Sequence, residues 1–417
     1  MKGLMFRLFV VLVAAGSTIG TAGGAASARY PFPQHLSYAA GTLRPDHRTQ
    51  RQQDTDVRSY YKAWRAAYLK PAGSAGDGTP MYRVSVGQSN PGRTVSEGQG
   101  YGMVIVALMG GFDANARRYF DGLWKFARAH PSAIDARLMA WQVPEQGDAD
   151  SAFDGDVDIA YSLLLADRQW GSAGAIDYRG DALVVASAIL ESTIGPTSRL
   201  PMLGDWVDPN GGRYNQWTLR TSDLMPDHFR AFRRASGNAE WTTVVARSQA
   251  IIARVQARYS RDTGLLPDFS VPLSSTDHRA QPAPPGFLEG ANDGNYYYNA
   301  GRDPWHLGAD ALLNHDATSL AQTGRIAEWA RNAANGKPLN IKPGYRLDGT
   351  AIPPGDYFSI FFAAPLGVAA MTVPTQQQWL NAVYDSVRDR HEGYYEDSVT
   401  LLCMLLMSGN YWDPTTR

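Results

Sequence analysis

The sequence predicts an all-α protein built as a ring of paired helices. Three observations carry that expectation. Segments with helical hydrophobic period recur along most of the chain, and few stretches alternate apolar and polar with period two. The helices also alternate in character, one nearly all apolar and the next apolar on a single face. A helix apolar all round must be covered all round, whereas one with a single apolar stripe sits at a surface. Inner apolar helices wrapped by outer amphipathic ones satisfy both demands. No Ser/Thr/Pro-rich linker or shift of composition interrupts the chain, so residues 29–417 are expected to form a single domain.

Taken in order, residues 102–109 (Gly-Met-Val-Ile-Val-Ala-Leu-Met) read as an apolar helix, closed by a turn at Gly110-Gly111. Residues 114–129 follow as an amphipathic helix, with Tyr119, Phe120, Leu123, Trp124 and Phe126 on or near one face and Arg117, Lys125 and Arg128 outside it. Further helices are expected at 156–168, 181–193, 241–258, 305–313, 319–334, 357–371, 376–388 and 396–407. Two long irregular segments, 199–222 and 264–296, stand between helices. Loops beyond about 12–15 residues in a compact domain usually carry function. The second contains Gln281-Pro282-Ala283-Pro284-Pro285-Gly286, whose prolines restrict the backbone just ahead of Glu289.

The N-terminus reads as a targeting segment. Lys2 and Arg7 precede an apolar stretch, Leu8 to Ala15, and Ala26-Ser27-Ala28 fits a small-x-small cleavage site. A signal peptide over residues 1–28 is therefore expected, with cleavage before Arg29 and a secreted, extracellular product. No later run approaches the roughly 20 apolar residues of a membrane span. The net charge of -1 argues against nucleic acid as a partner, because neutralising a phosphate backbone needs a basic surface. The single cysteine, Cys403, lies in an apolar run and excludes an intramolecular disulfide. A monomer without a bound metal is expected. Most of the 11 Trp, 21 Tyr and 14 Phe read as core, and several are candidates to stack on the apolar faces of sugars.

Hydrolysis of a glycosidic bond needs one carboxylic acid to protonate the leaving oxygen and a second carboxylate to activate water or attack carbon. Three blocks place acids where surface charge explains them poorly. In Ser96-Glu97-Gly98-Gln99-Gly100-Tyr101-Gly102-Met103, Glu97 is followed by three glycines that leave room for a ligand to approach the backbone. The alternative is a helix start, with Ser96 as cap and Glu97 at the positive end of the dipole. In Asp148-Ala149-Asp150-Ser151-Ala152-Phe153-Asp154-Gly155-Asp156-Val157-Asp158, five aspartates crowd a helix entry, open to reading as sugar contacts, as helix caps or as a calcium loop. Ile159 stands where a calcium loop needs glycine. The third block runs from Phe287-Leu288-Glu289 through Asn292-Asp293-Gly294-Asn295-Tyr296-Tyr297-Tyr298-Asn299 to Arg302-Asp303-Pro304-Trp305, and gathers acids, tyrosines, an amide and a cation.

The first block resembles the general-acid motif of glycoside hydrolase family 8. Ala152-x-Asp154-Gly155-Asp156-x-x-Ile159-Ala160, with Ala166 and Trp170 beyond it, is similar to that family's second signature, and the third block and Tyr394-Tyr395-Glu396-Asp397-Ser398 are similar to its later segments. The resemblance covers nearly the whole chain after residue 28. It implies an (α/α)6 barrel, an open cleft across one end, and an inverting single-displacement mechanism without a cofactor. Glu97 would be the proton donor, and Asp154 would hold the distorted sugar. Phe153 departs from the small hydroxyl residue usual before that aspartate. Asn299 departs further, because one branch of the family has its catalytic Asp there and an amide cannot take a proton from water. A second branch, with lichenases, endoglucanases and chitosanases, keeps Asn and places a Glu in the preceding loop. Glu289 matches it and is assigned as base, with Asp293 next in line and Asp223 behind it.

Substrate contacts are expected from Tyr101, Trp141, Trp206, Trp217, Tyr297 and Trp305 as stacking platforms, and from Asp156, Asp223, Asn299 and Arg302 as polar groups. Arg302 is read as positioning the water or bracing a carboxylate, and Asp223 alternatively as a helix cap. The expected activity is a secreted inverting endo-β-glycanase on β-1,4-glucan or mixed-linkage glucan. Chitosan, favoured by the acidic cluster at 148–158, is the alternative substrate, and a catalytically inactive carbohydrate-binding barrel is the rival of another class.

Overall fold

A computed structural model describes residues 27–416 apart from Gln146 and Asp148. The signal-peptide expectation therefore lies outside the described residues, but for Ser27 and Ala28. Among the described residues the helices are α1 (Gln50–Tyr68), α2 (Ser96–Leu108), α3 (Ala116–Ala129), α4 (Phe153–Trp170), α5 (Tyr178–Ser192), α6 (Pro226–Ser236), α7 (Glu240–Arg258), α8 (Asp303–Asn314), α9 (Ala317–Ala333), α10 (Ile360–Ala370), α11 (Gln377–Val387) and α12 (Tyr394–Met407). The even-numbered helices pack each on the next, and α12 returns to α2, which closes the ring. Helices α3, α5, α7, α9 and α11 each cover the inner helix that precedes them, and α1 covers α12. This is the (α/α)6 barrel. None of the described helices is long and apolar enough to cross a membrane.

The alternation read from the sequence follows from this arrangement. Every residue of α10 is buried, as is nearly every residue of α2 and α12, whereas α3 buries one face. Two helices escaped the hydrophobic pattern. In α1 the buried stripe is largely aromatic (Val57, Tyr60, Tyr61, Trp64, Tyr68) among Gln, Asp and Arg. Inner helix α6 carries three arginines and buries Asp227 and His228, so it does not look like an inner helix. The N-terminal helix is locked to the C-terminal one by polar contacts. Trp64 donates its indole N–H to Ser398 (2.8 Å), and the hydroxyls of Tyr60 and Tyr68 donate to Asp397 (3.3 and 2.9 Å).

The glycines after Glu97 serve packing rather than ligand access. Helix α2 begins at Ser96, six residues before the expected start, and α4 begins at Phe153, three before. A Cβ on Gly100 would fall 2.6 Å from Cβ of Asp158 and 3.0 Å from the carbonyl of Gly155. A Cβ on Gly155 would lie 2.6 Å from the carbonyl carbon of Ser96. The α2–α4 crossing is therefore a seam of small residues that sets the first turns of both helices side by side.

Short strands tie the loops at the mouth. Strands β1 (Leu69–Ser74) and β2 (Pro80–Val84) form a hairpin, and β3 (Thr94–Val95) pairs with β4 (Gln142–Val143). In β5 (Leu219–Arg220), β6 (Phe269–Pro272) and β7 (Ala280–Pro282), Arg220 is registered opposite Phe269, so the two long loops are joined. Gly100→Ala should destabilise the fold by about 2 kcal/mol through overpacking at the seam. Urea unfolding followed by circular dichroism measures it, and a midpoint unchanged from wild type would refute the seam.

Candidate active site

The N-terminal ends of inner helices share one mouth of the ring, and one acid from each of the three sequence blocks, Glu97, Asp154 and Glu289, comes to it. Glu97 occupies the first turn of α2 and Asp154 that of α4. A 3-10 turn, Thr221–Asp223, precedes α6, another, Ala300–Arg302, precedes α8, and Tyr394 and Tyr395 open α12. A cavity of about 400 Å³ lies between them, lined among others by Glu97, Trp141, Asp154, Arg220, Glu289 and Asn299.

Neither Glu97 nor Asp154 caps its helix. The N-cap residues are Val95 and Ala152, and neither makes a side-chain cap. Instead both carboxylates converge on one nitrogen, Nη1 of Arg302, at 2.9 Å from Glu97 and 2.7 Å from Asp154. That nitrogen also reaches the Tyr101 hydroxyl (3.1 Å), and Nη2 donates to Ser222 Oγ (2.8 Å). The guanidinium is wholly buried. Tyr394 donates to the other oxygen of Glu97 (3.4 Å).

The two acids part in their proton affinity. Burial pushes Glu97 up to about 8, against Arg302 and with help from the Asp154 charge. Burial works on Asp154 too, but Arg302, Arg220 and the hydrogen bonds from Arg302 and the Gly155 N–H outweigh it and hold Asp154 below the ordinary carboxylate value. A protonated and an ionised carboxyl thus share one cation at neutral pH.

Glu289 stands on the facing loop. Its Oε2 accepts from Asn299 Nδ2 (2.8 Å) and its Oε1 from Arg220 Nη2 (3.0 Å). Asn299 is set by Asp268, whose Oδ1 accepts the N–H groups of Tyr297, Asn299 and Ala300. Asp293, the next candidate for base, has a different task. Its carboxylate accepts the N–H groups of Leu288 (2.7 Å), Glu289 (3.1 Å) and Gly290 (2.9 Å), which folds the turn that presents Glu289. Arg213 and Tyr214 grip the Phe287 carbonyl from the other long loop. Side-chain hydrogen bonds, more than the prolines, aim the loop.

Several expected contacts are corrected by burial. Tyr101 and Trp305 are core residues, packed on each other with ring centroids 5.9 Å apart, and cannot stack on a sugar. Arg302 supports carboxylates and is closed to ligand. Asp156 is buried and accepts the Met139 N–H (2.9 Å). Asp158 pairs with His228 (3.0 Å). Asp154, Asp156 and Asp158 thus face three different partners rather than one common point, and two of the three turn away from the cleft. Asp223 is buried within the 3-10 turn and does not cap α6, whose N-cap is Met225. Of the remaining platforms, Trp141 lines the cavity, with the Arg93 guanidinium 5.4 Å from its ring centroid. Trp206 packs on Tyr214 in a satellite apolar cluster, and Tyr297 lies edge-on to Tyr298. Trp217 stacks on His278 (4.1 Å) beside a separate cavity of about 570 Å³. Sequence reasoning missed Arg220, Ser222, Asp268, Tyr298, Tyr394 and Tyr395 as site residues. The tyrosines sat inside blocks already singled out, whereas an isolated Arg or Asp in a loop carries no pattern.

A ring of paired helices with paired carboxyls in a cleft at one mouth has the groups that hydrolysis of a glycan chain requires. The family profile described as glycosyl hydrolases family 8 matches residues 50–409. A beta-glucanase of Niallia circulans is 44% identical over 387 residues, covering 92% of this chain and 91% of that protein. An endoglucanase of a Bacillus species (strain KSM-330) is 38% identical over 393 residues, covering 92% and 82%. Among solved structures, the apo beta-1,3-1,4-glucanase from Paenibacillus sp. X4 superposes with a TM-score of 0.87 at 43% identity, over 93% of this chain and 100% of that one. The chain belongs to glycoside hydrolase family 8 and is a glycoside hydrolase.

Arg302→Met should cost about 3–5 kcal/mol of stability, because it leaves the buried, ionised Asp154 without its cation. It should also raise the Glu97 pKa further. Carbon-13 NMR titration of glutamate-labelled protein checks the shift, and a lowered Glu97 value would contradict the bracing role.

Proposed function

We propose that the chain is a secreted endo-β-glucanase that cleaves β-1,4 or mixed-linkage β-1,3-1,4 glucan with inversion of configuration, residues 29–417 forming its catalytic domain. Glu97 protonates the departing glycosidic oxygen. Glu289 takes a proton from a water that attacks the anomeric carbon from the opposite face. Asp154, kept ionised, holds hydroxyls of the sugar at the cleavage point. One observation carries the assignment of the base: the amide at position 299, itself unable to act, donates its N–H to Glu289 across the cavity from Glu97. A protonated Glu97 at neutral pH suits an acid catalyst.

A neutral glucan fits better than chitosan. The carboxylates at the cavity wall each stand beside a cation, Asp154 by Arg302 and Glu289 by Arg220, and Asp156 and Asp158 are turned inward, so the aspartate cluster offers no row of free carboxylates to a cationic chain. The names of the similar beta-glucanases point the same way. The retained carboxyl pair weighs against an inactive binding barrel.

Glu97→Gln and Glu289→Gln should each lower kcat by about 10³-fold or more while binding of the oligosaccharide persists. Wild-type turnover in either variant would remove that residue from its role. Anomeric NMR of barley glucan digestion should show the α-anomer first; a β-anomer would sink the single-displacement reading. Because Glu97 must carry its proton, kcat/KM should fall as pH rises through about 8. Glu97→Asp, with a shorter reach, should keep an alkaline limb at a much lower rate.

A further inference from the structure

Arg220 stands between two carboxylates of unlike surroundings. Its Nη2 holds Oε1 of Glu289 at 3.0 Å, and its Nη1 lies 3.6 Å from Oδ2 of Asp223. Glu289 is half exposed at the cavity wall, whereas Asp223 is wholly buried. The rest of the guanidinium is confined, with its carbon 5.3 Å from the centroid of the Phe269 ring, and β5 is registered against β6. Asp223 sits in a three-residue turn whose neighbour Ser222 accepts from Arg302. Among the described residues, no hydrogen bond reaches either carboxylate oxygen of Asp223. A buried carboxyl left without donors is costly in its charged form, so its retention beside a single cation needs a reason.

We propose that Asp223 and Arg220 form a positioning couple for the base, in which Asp223 holds Arg220 and draws off part of its charge, so that Glu289 is fixed in place yet stays basic enough to take a proton from water. The inference rests on the reading of Glu289 as base. Arg220 alone would present a full positive charge to Glu289 and weaken it as a proton acceptor. Asp223 in its ionised form offsets that charge from behind, out of contact with substrate. Neither residue needs to touch the sugar's reacting atoms, so both are positioning residues.

The charged groups that act on Asp223 are Arg220 in β5, Asp154 of α4, Arg302 before α8, Glu289 of the facing loop and Asp303 at the start of α8, whose carboxyl also bonds Thr221 of the same turn. Burial dominates, against Arg220, and pushes Asp223 up to about 7. Its ionisation therefore falls near neutral pH. Below that pH the proton on Asp223 releases Arg220's charge toward Glu289 and turnover declines, so Asp223 contributes to the acid limb of the rate profile.

Asp223→Asn tests this, as a permanent mimic of the protonated form. The expected result is a kcat lower by about 10- to 100-fold at neutral pH with KM changed less than about threefold, since a base is weakened and not removed. The acid limb of kcat/KM should move to lower pH, because the Asp223 step is gone. Wild-type kcat, or a lowered kcat with the acid limb unmoved, would overturn the proposal, the latter pointing to a merely structural role. If Asp223→Asn does not fold, Arg220→Lys carries the test. A lysine keeps one charge but cannot reach both carboxylates, so kcat should again fall with KM kept, and full activity would overturn the couple. Glu289→Gln separates the two readings. If it remains active the base assignment has failed, whereas if it is inactive and the Asp223 and Arg220 variants behave as wild type, only the couple has failed.

Discussion

One guanidinium nitrogen holds the site together. Nη1 of Arg302 sits within 3 Å of both Glu97 and Asp154, which belong to different helices, while the side chain itself stems from a turn before a third. Burying that cation without partners would be prohibitive, and burying the ionised Asp154 without it equally so. The three groups are therefore admissible only together. Their placement at a shared mouth follows from the ring, since N-terminal ends of inner helices gather there and their exposed N–H groups favour negative charge. The favourable dipole lowers a carboxyl's proton affinity and burial raises it. For Glu97 burial dominates, and for Asp154 the cations do. Two chemically similar side chains a few ångströms apart come to differ in protonation because their partners differ.

The opposite wall is built on another principle. Glu289 belongs to no helix, and its position depends on hydrogen bonds that close a loop on itself and on its neighbour. Asp293 gathers three successive N–H groups, Asp268 gathers three more around Asn299, and Arg213 and Tyr214 pin the Phe287 carbonyl. A rigid half made by helix packing faces a half made by side-chain to backbone bonds. Such a division lets a loop be fastened without a core of its own.

Much of this was legible in the sequence, and the limits have physical causes. The alternation of apolar and amphipathic helices appeared because inner and outer positions impose different exposure. The pattern failed at α1, where tyrosines and a tryptophan replace aliphatics, and at α6, an inner helix that buries charge. Closure of the ring left no local trace, since α12 and α2 are distant in sequence. The acids were legible as clusters too dense for an ordinary surface, but the direction of each was not: Asp154, Asp156 and Asp158 alternate along one helix start and reach three different partners. The glycines after Glu97 were misread because a small residue looks alike whether it admits a ligand or a neighbouring helix. Arg220 and Asp268 gave no signal, since a lone charge in a loop acquires meaning only from what folds against it.

The amide at position 299 also has a consequence for redesign. Its N–H bond to Glu289 means that the two positions are not independent. An acid placed at 299 while Glu289 remains would set two carboxylates 2.8 Å apart, and each would be harder to ionise than either alone. An exchange at 299 therefore acts on Glu289 as well, and the hydrogen bond makes the two residues a single unit of design.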